Sequence, residues 1–428
     1  MKYFKTFQKI GMSALFVSLL GFSACQNDTD DYSDLNRSET IPLKTLSQEA
    51  QIIRDYVKED AVISHRGTTV WAPEETEAAF RWARNMGGDY LEIDVQMTSD
   101  GVLLALHDGN LRRTTNIARV FPGMEDNFVN TFTLKELRQL DAGSWFNEAR
   151  PENANPAFVG EKISTLEDVL KIAEGYRIAR DADGNRVKRI ESDGEWHGHY
   201  EYELDPADNG NRPGLYIETK EPWKFPGMEE KLAENLKAFG WLVTDNPKEI
   251  ATTPGKVGVA NTNARVILQS FSLQSIIILE RTLKGIPKCM LLWKSDMNGA
   301  DVDSFADWIN FSVENNCEIA GPSIGGAPNN YDDITKPWML KMMHRAGMIV
   351  HAYSFDTEDQ LKKYNGDYFY EGKESRFENP DRKPLNELKP SRDMFIDGGF
   401  TNLTGLSLKY QNRANDKTAI EVLNELGY

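Results

Sequence analysis

The chain has 428 residues, of which 40 % are hydrophobic and 27 % are charged, values that exclude a disordered chain or a multi-span membrane protein. Its formal net charge of −17 repels nucleic acid and anionic membrane surfaces, so neither is expected as a partner and a phosphate-bearing substrate would need a local positive site. With three cysteines, a disulfide framework and a cysteine-rich zinc site are also excluded.

The first 24 residues predict an export signal. They contain three lysines and no acidic residue, and their apolar run over residues 10–22 is too short to cross a bilayer. Small residues precede Cys25, and Phe22-Ser23-Ala24-Cys25 resembles a bacterial lipobox. We therefore expect lipidation of Cys25 and anchorage to the cell envelope; an ordinary signal peptide is the alternative. Residues 25–45 are predicted to form a polar tether, whose acidic start is typical of outer-membrane lipoproteins that face the cell surface.

From residue 46 onward, strand-like and helix-like segments alternate, which predicts a parallel sheet with helices outside it. Eight strands are predicted, the number that closes a (β/α)₈ barrel of the TIM type, so residues 46–428 are expected to form one α/β domain. The predicted strands are 61–65, 90–96, 215–219, 265–270, 288–292, 318–322, 348–353 and 395–399. The predicted helices are 46–57, 75–86, 166–173, 229–239, 273–283, 302–315 and 337–346.

Three segments fall outside this alternation. The apolar run 102–106 follows the second strand after only Ser99-Asp100-Gly101, a connection that permits a β-hairpin but no parallel crossover. After this hairpin, residues 109–165 are predicted to form an insertion that includes a short helix at 133–140. Residues 181–213 are rich in acids and glycines, which favours a solvated excursion and makes it a candidate roof over the cleft.

Charged motifs stand at the ends of four predicted strands, where barrels of this kind build their active sites. The motifs are His65-Arg66-Gly67, Glu92-Ile93-Asp94, His107-Asp108 and Glu218-Thr219-Lys220. Because residues two apart on a strand share a face, Glu92, Asp94 and Glu218 are expected to gather three carboxylates. Such a cluster calls for a cation, and ligation by oxygen alone favours one Mg²⁺ or Ca²⁺ over zinc.

The residues around this cluster suit hydrolysis of a phosphodiester. That reaction needs a base and an acid, and His65 and His107 carry the side chain whose ordinary pKa lies closest to neutral. Arg66 and Lys220 can bind phosphoryl oxygens, and Phe271 can line the site because it ends a strand. Which histidine is the base stays open.

With these motifs the chain resembles the glycerophosphodiester phosphodiesterases over about residues 61–404. The other motifs that carry the resemblance are Pro73-Glu74-x-Thr76, Asp141-Ala142-Gly143 and Gln269-Ser270-Phe271. The resemblance implies a barrel with an insertion after His107-Asp108, a metal held by Glu92, Asp94 and Glu218, and acid–base catalysis by His65 and His107. The implied reaction turns a small glycerophosphodiester into an alcohol and glycerol 3-phosphate, with water or a glycerol hydroxyl as the first nucleophile.

Three positions depart from the family pattern. Glu75, Tyr353 and Asn402 stand where the family usually has Asn, Trp and Asp. They leave the predicted ligands and histidines in place, but they bear on metal affinity and on the alcohol half of the substrate.

Two other functions stay open at this point. A phospholipase C- or D-like barrel enzyme acting on intact phospholipid would show exposed apolar residues beside the site. A non-catalytic binding lipoprotein would have lost a histidine or a metal ligand, and none is missing from the sequence.

Overall fold

A computed structural model describes residues 36–297, 301–366, 392–414 and 416–428. The predicted signal segment, Cys25 and the first part of the predicted tether lie outside the described residues. The remainder of that tether, residues 36–45, lies against the barrel, and Arg345 donates hydrogen bonds to the carbonyls of Ser38 and Ile41. Among the helices that the structure describes, none has the length and apolar character needed to cross a membrane.

Eight parallel strands close into a barrel, as predicted. The eleven strands of the described chain are β1 (Ala61–Ser64), β2 (Tyr90–Met97), β3 (Leu103–Ala105), β4 (Tyr176–Ile178), β5 (Tyr202–Leu204), β6 (Gly214–Thr219), β7 (Val266–Ser270), β8 (Lys288–Leu292), β9 (Ile319–Pro322), β10 (Ile349–Phe355) and β11 (Gly398–Thr401). The barrel order is β1, β2, β6, β7, β8, β9, β10 and β11, and β11 pairs in parallel with β1. This closure brings the carboxyl ends of all eight strands to one face.

Helices surround the barrel. They are α1 (Gln48–Arg54), α2 (Glu77–Met86), α3 (Ile117–Val120), α4 (Leu134–Leu137), α5 (Ser144–Ala149), α6 (Leu166–Ala173), α7 (Met228–Ala238), α8 (Leu273–Thr282), α9 (Val302–Glu314), α10 (Pro337–Arg345), α11 (Glu358–Tyr364), α12 (Thr404–Tyr410) and α13 (Ala419–Leu426). Threonine side chains cap the N-termini of several helices. Thr165 and Asp168 form a capping box at the start of α6, and Thr357 and Gln360 form one at the start of α11.

The core has an inner and an outer layer. Inside the barrel, Ile63, Tyr90, Tyr216 and Phe400 pack together, and Tyr216 meets Phe400 edge-on with ring centroids 4.9 Å apart. Larger apolar clusters fill the space between the strands and the helices. Burying each such side chain stabilises the fold by about 1.5–3 kcal/mol relative to exposure, which makes the barrel a rigid support for its strand ends.

The last predicted strand, 395–399, was wrong by about three residues, since β11 spans Gly398–Thr401. Phe395 and Ile396 are buried, and Ile396 packs in the outer layer, so their apolar character resembled that of a strand. The carboxylate of Asp397 accepts a hydrogen bond from the backbone N–H of Val350, and the parallel ladder begins only at Gly398. The other seven barrel strands lie within about two residues of their predicted bounds.

The hairpin prediction is confirmed, because β3 pairs antiparallel with β2 beside the barrel. The predicted roof over the cleft is wrong. The excursion packs on the outer surface, where Asp205 accepts hydrogen bonds from Arg81 and Arg84 of α2 and Arg189 donates to Glu167 of α6. Charged side chains of the excursion are therefore paired with opposite charges on two helices, a pairing that composition alone does not reveal.

Candidate active site

Three carboxylates meet at the carboxyl face of the barrel. Strand register places Asp94 of β2 directly opposite Glu218 of β6, and Glu92 lies two residues before Asp94 on the same face. One oxygen from each of these three side chains lies within 4.8 Å of the others, and all three residues are buried. The structure thus brings together the three residues that the sequence singled out as metal ligands.

Neighbouring groups hold Glu92 from both sides. Its Oε2 accepts a hydrogen bond at 2.8 Å from the backbone N–H of Arg66, whose backbone is left-handed with φ of 54°. Its Oε1 accepts a hydrogen bond at 3.0 Å from the side-chain amide of Gln269 on β7. These bonds fix the orientation of the carboxylate before any ligand arrives.

The two predicted phosphate-binding cations lie within the carboxylate cluster. The Arg66 guanidinium is 3.3 Å from Asp94 and 3.1 Å from Glu74, and the Lys220 ammonium is 3.3 Å from Asp94 and 3.1 Å from Glu218. Both cations are largely buried, with side-chain exposures of 14 % and 16 %. They partly neutralise the three acids.

The acids of the cluster differ in proton affinity. Burial, together with the neighbouring Asp94 and Glu218 carboxylates, raises the pKa of Glu92 well above its usual range. Burial also raises the pKa of Glu218 to about 7, against the opposing effect of Lys220. Asp94 is equally buried, yet Lys220, His107 and Arg66 hold its pKa below its ordinary value. Mutual repulsion of this kind is relieved by a divalent cation, and an all-carboxylate donor set fits a hard cation.

Glu75 adds a fourth buried carboxyl group. Its Oε1 accepts the backbone N–H of Asp94 at 3.1 Å, and its Oε2 has no hydrogen-bond partner among the described residues. Burial and the neighbouring Asp94 and Glu92 carboxylates raise the pKa of Glu75 well above its usual range. The charged form of the side chain is therefore disfavoured, at the position where the sequence departs from the family pattern.

Both predicted catalytic histidines border the cluster, and each is held through Nδ1. His65 lies 2.9 Å from Oδ1 of Asn402, and His107 lies 2.8 Å from Oδ1 of Asp108. Burial and the Arg66 charge lower the pKa of His65 to about 3. Burial also lowers the pKa of His107, while Asp94 opposes that shift. Acid–base groups oriented in this way can move protons at a bound ligand.

One cation at the mouth was missed at the level of sequence. Arg113 binds Glu74 and Asp108, each at 2.6 Å, while its side chain remains 42 % exposed. It is therefore better placed than Arg66 to meet an anion arriving from solvent. The available signal was an Arg112-Arg113 pair soon after His107-Asp108 in a strongly acidic chain.

A cleft of about 710 Å³ opens from the cluster. His107, Glu218 and Lys220 are among the residues that line it, together with Trp223, Phe271 and Trp293. The predicted residue Phe271 stacks on Trp293 with ring centroids 5.6 Å apart and an interplanar angle of 13°. The cleft thus combines charged groups suited to chemistry with aromatic groups suited to a second part of a ligand.

Tyr353 on β10, one of the three positions that depart from the family pattern, belongs to the same aromatic group. Its ring meets Phe271 and Trp293 edge-on, at centroid distances of 6.1 Å and 5.7 Å. Its hydroxyl donates to the carbonyl of Leu292 at 2.7 Å, so the residue supports the aromatic side of the cleft with its polar end satisfied.

Comparison with known proteins decides the family. The glycerophosphodiester phosphodiesterase of Bacillus subtilis (strain 168) is 31 % identical over 301 residues, which cover 70 % of this chain and 78 % of that protein. This chain belongs to the glycerophosphodiester phosphodiesterase family. The model of the Glycerophosphoryl diester phosphodiesterase family matches residues 65–259 of this phosphodiesterase. The glycerophosphodiester phosphodiesterase of Caldanaerobacter subterraneus subsp. tengcongensis is 42 % identical over 111 residues, or 26 % of this chain and 39 % of that protein.

Solved structures agree on the fold of this phosphodiesterase. A structure from Silicibacter pomeroyi DSS-3 has a TM-score of 0.53 at 17 % identity, covering 85 % of this chain and 97 % of that one. One from Agrobacterium tumefaciens str. C58 has a TM-score of 0.51 at 14 % identity, covering 83 % and 98 %. Family membership makes the protein a phosphodiester hydrolase that acts on glycerophosphodiesters, and enzymes of the family generally use a divalent metal.

Proposed function

We propose that this phosphodiesterase releases glycerol 3-phosphate and an alcohol at a site that binds one divalent cation, Ca²⁺ or Mg²⁺. The observation that supports the proposal most directly is the buried group of Glu92, Asp94 and Glu218, with one oxygen of each within 4.8 Å of the others. A divalent cation bound there would polarise a phosphoryl oxygen and stabilise the charge that develops in the transition state.

The residues around the ligands divide the remaining tasks. Lys220, which lines the cleft, and Arg113, which binds the cleft residue Asp108, attract and orient the phosphate. One of the histidines, His65 or His107, takes the proton of the attacking hydroxyl, and the other returns a proton to the leaving alcohol oxygen. The attacking group is water or a glycerol hydroxyl of the substrate itself.

A second candidate substrate is intact phospholipid. Trp223 lines the cleft with 69 % of its surface exposed, and Leu273, which follows the cleft residue Ser272, is 49 % exposed. Exposed apolar side chains beside an active site are suited to contact a lipid surface. This observation justifies including phospholipid vesicles in the activity test.

We further propose that the enzyme is exported and anchored to the cell envelope through a lipid on Cys25. The basic start, the short apolar run and the small residues before the cysteine support the proposal. The mature enzyme would then meet substrate outside the cytoplasm.

Activity should be measured as glycerol 3-phosphate released from glycerophosphocholine and its ethanolamine, glycerol and inositol counterparts. The assay would use residues 26–428 with Ca²⁺, Mg²⁺ or chelator. We expect turnover that chelator removes and that His65→Ala lowers by at least about 10²-fold. The matched control is His197→Ala, an exposed histidine of the excursion that should keep full activity.

Two outcomes would contradict the proposal. Turnover that persists in chelator would show that the reaction needs no divalent cation. Turnover of phosphatidylcholine vesicles but of none of the soluble substrates would show that the substrate is intact phospholipid. The phospholipid arm must therefore run under the same conditions as the soluble substrates.

A further inference from the structure

The two histidines of the site have partners of different chemistry. His107 contacts a carboxylate, Asp108, which Arg113 holds from its other side. His65 contacts a neutral amide, the side chain of Asn402. An imidazole ring can donate or accept at Nδ1, so the partner of each ring determines which nitrogen carries the proton.

A third residue fixes the orientation of the Asn402 amide. Its Nδ2 lies 2.8 Å from Oδ1 of Asp356, a carboxylate that can only accept hydrogen bonds. The NH₂ group must therefore face Asp356, which leaves the amide oxygen facing His65. The opposite orientation would set two acceptor oxygens against each other.

Asp356 itself is held in place. Asn329 donates its amide N–H to Oδ2 of Asp356 at 2.7 Å, and the Ser354 hydroxyl donates to the same oxygen at 3.3 Å. The Asn402 backbone N–H points to Oδ1 at 3.4 Å. With both oxygens engaged by donors, this carboxylate is a rigid end point of the chain of hydrogen bonds.

The tautomer of His65 follows from this chain. Since the amide oxygen of Asn402 only accepts, Nδ1 of His65 must carry the hydrogen, and Nε2 is left with a free electron pair. A neutral amide gives an imidazolium little stabilisation, whereas the Asp108 carboxylate stabilises one at His107. The charged or titratable groups that act on His65 are Arg66, Asp94 and His107.

We infer that Asp356 and Asn402 are positioning residues that hold His65 with its hydrogen on Nδ1, so that Nε2 serves as the general base and His107 as the general acid. This inference rests on the proposed function. The attacking hydroxyl gives its proton to Nε2 of His65 as its oxygen bonds to phosphorus. The bond from phosphorus to the alcohol oxygen breaks, and that oxygen takes a proton from the His107 imidazolium. His65 then releases its proton to solvent, and His107 regains one from solvent.

The tautomer can be read directly by NMR. In protein labelled with ¹⁵N-histidine, long-range ¹H–¹⁵N correlations distinguish a ring protonated at Nδ1 from one protonated at Nε2. Loss of a signal set in His65→Ala assigns the residue. We expect the Nδ1–H form in the wild-type protein, in the absence of substrate and metal. An Nε2–H ring would overturn the inference outright, whatever the variants do.

Variants then test whether the two residues set this tautomer. Asn402→Leu removes the acceptor at His65, so the Nδ1–H preference should disappear and kcat should fall by about 10²-fold or more with KM nearly unchanged. The double variant Asp356→Asn with Asn402→Asp exchanges amide and carboxylate but keeps an acceptor facing Nδ1. It should retain the Nδ1–H form and recover activity to within about tenfold of wild type.

The remaining outcomes separate this inference from the proposed function. The exposed control Asn424→Leu should alter neither tautomer nor kcat. An unchanged Nδ1–H ring in Asn402→Leu would show that other contacts fix the tautomer, and would overturn the role of Asn402. A wild-type protein without phosphodiesterase activity would contradict the proposed function, while the spectrum would still decide the tautomer.

Discussion

Glu75 shows how a single buried side chain acts on a neighbouring ligand. One of its oxygens accepts the backbone N–H of Asp94, and burial beside Asp94 and Glu92 raises its pKa well above the usual range. The contact that the structure shows for Glu75 is this hydrogen bond, while burial and the two neighbouring carboxylates disfavour its charged form. A neutral amide at this position, as the family usually has, could make the same bond.

Replacing Glu75 tests this interpretation. Glu75→Gln keeps the size and the acceptor, so its free energy of unfolding at pH 7 should stay within about 1 kcal/mol of wild type. Glu75→Leu leaves the Asp94 N–H buried without a partner, which should cost about 1–3 kcal/mol. Urea unfolding in chelator measures both. An equal loss in both variants would mean that Glu75 is charged and acts through an ion pair.

At the level of individual side chains, the sequence predicts residue types better than partners. The strand-end positions of Glu92, Asp94 and Glu218 follow from a period of two and from where barrels place their sites. The pairing of His65 with Asn402 joins residues far apart in the chain and depends on the register between β1 and β11. No local pattern encodes that register, so such contacts could not be predicted.

Among the elements, the regular barrel was predicted, whereas the place where the excursion packs was not. Strands and helices with continuous apolar patterns were found because burial repeats along them at fixed spacing. The excursion is held instead by charged side chains that reach α2 and α6. In a sequence, those residues look the same as solvated ones, which is why a roof over the cleft was expected.

Asp205 should be the residue of the excursion that contributes most to the stability of the fold. It is buried and accepts three hydrogen bonds from Arg81 and Arg84, at 2.6–2.9 Å. Asp205→Asn leaves two buried guanidinium groups poorly paired, so the free energy of unfolding at pH 7 should fall by about 3–5 kcal/mol. Urea unfolding measures the change, with Asp183→Asn, exposed in the same excursion, as the matched control.

The pH dependence of this loss has a defined sign. Although burial opposes the shift, Arg81 and Arg84 lower the pKa of Asp205 to about 2, below its ordinary value of 3.8. The stabilisation is therefore fully present above pH 3.8 and disappears as the pH falls towards 2. Wild type and Asp205→Asn should converge in stability over that interval. A constant difference down to pH 2 would mean that the carboxylate charge is not what stabilises the excursion.

At the scale of the whole molecule, a strongly negative protein must bind a substrate that carries a negative phosphate. A chain of net charge −17 concentrates three buried carboxylates at the mouth of its barrel, with Lys220 and Arg66 between them. Bound divalent cation would reverse this local repulsion and provide the positive site that the substrate needs. The same cation should therefore couple folding stability to catalysis.

This coupling predicts how cation binding depends on pH. In chelator, the raised pKa values of Glu92 and Glu218 mean that the folded protein holds protons more tightly than the unfolded chain. For Glu218 the resulting stabilisation is present below its ordinary value of 4.5 and is lost as pH rises through about 7. A divalent cation must displace those protons, so its affinity should increase by up to about tenfold per pH unit for each proton displaced over the same interval.

Thermal unfolding with and without Ca²⁺ measures the effect. At pH 8, a cation concentration about 100 times its Kd adds about 2.7 kcal/mol to the free energy of unfolding. For a chain of this size, that increase raises Tm by about 3 °C. At pH 5 the same concentration should raise Tm by much less. Glu218→Gln removes both the charge and the proton, so it should abolish most of the increment at pH 8 while unfolding at a similar or higher temperature than wild type in chelator. An increment that is equal at both pH values would place the cation on groups that do not titrate between them, and would exclude Glu218 as a ligand.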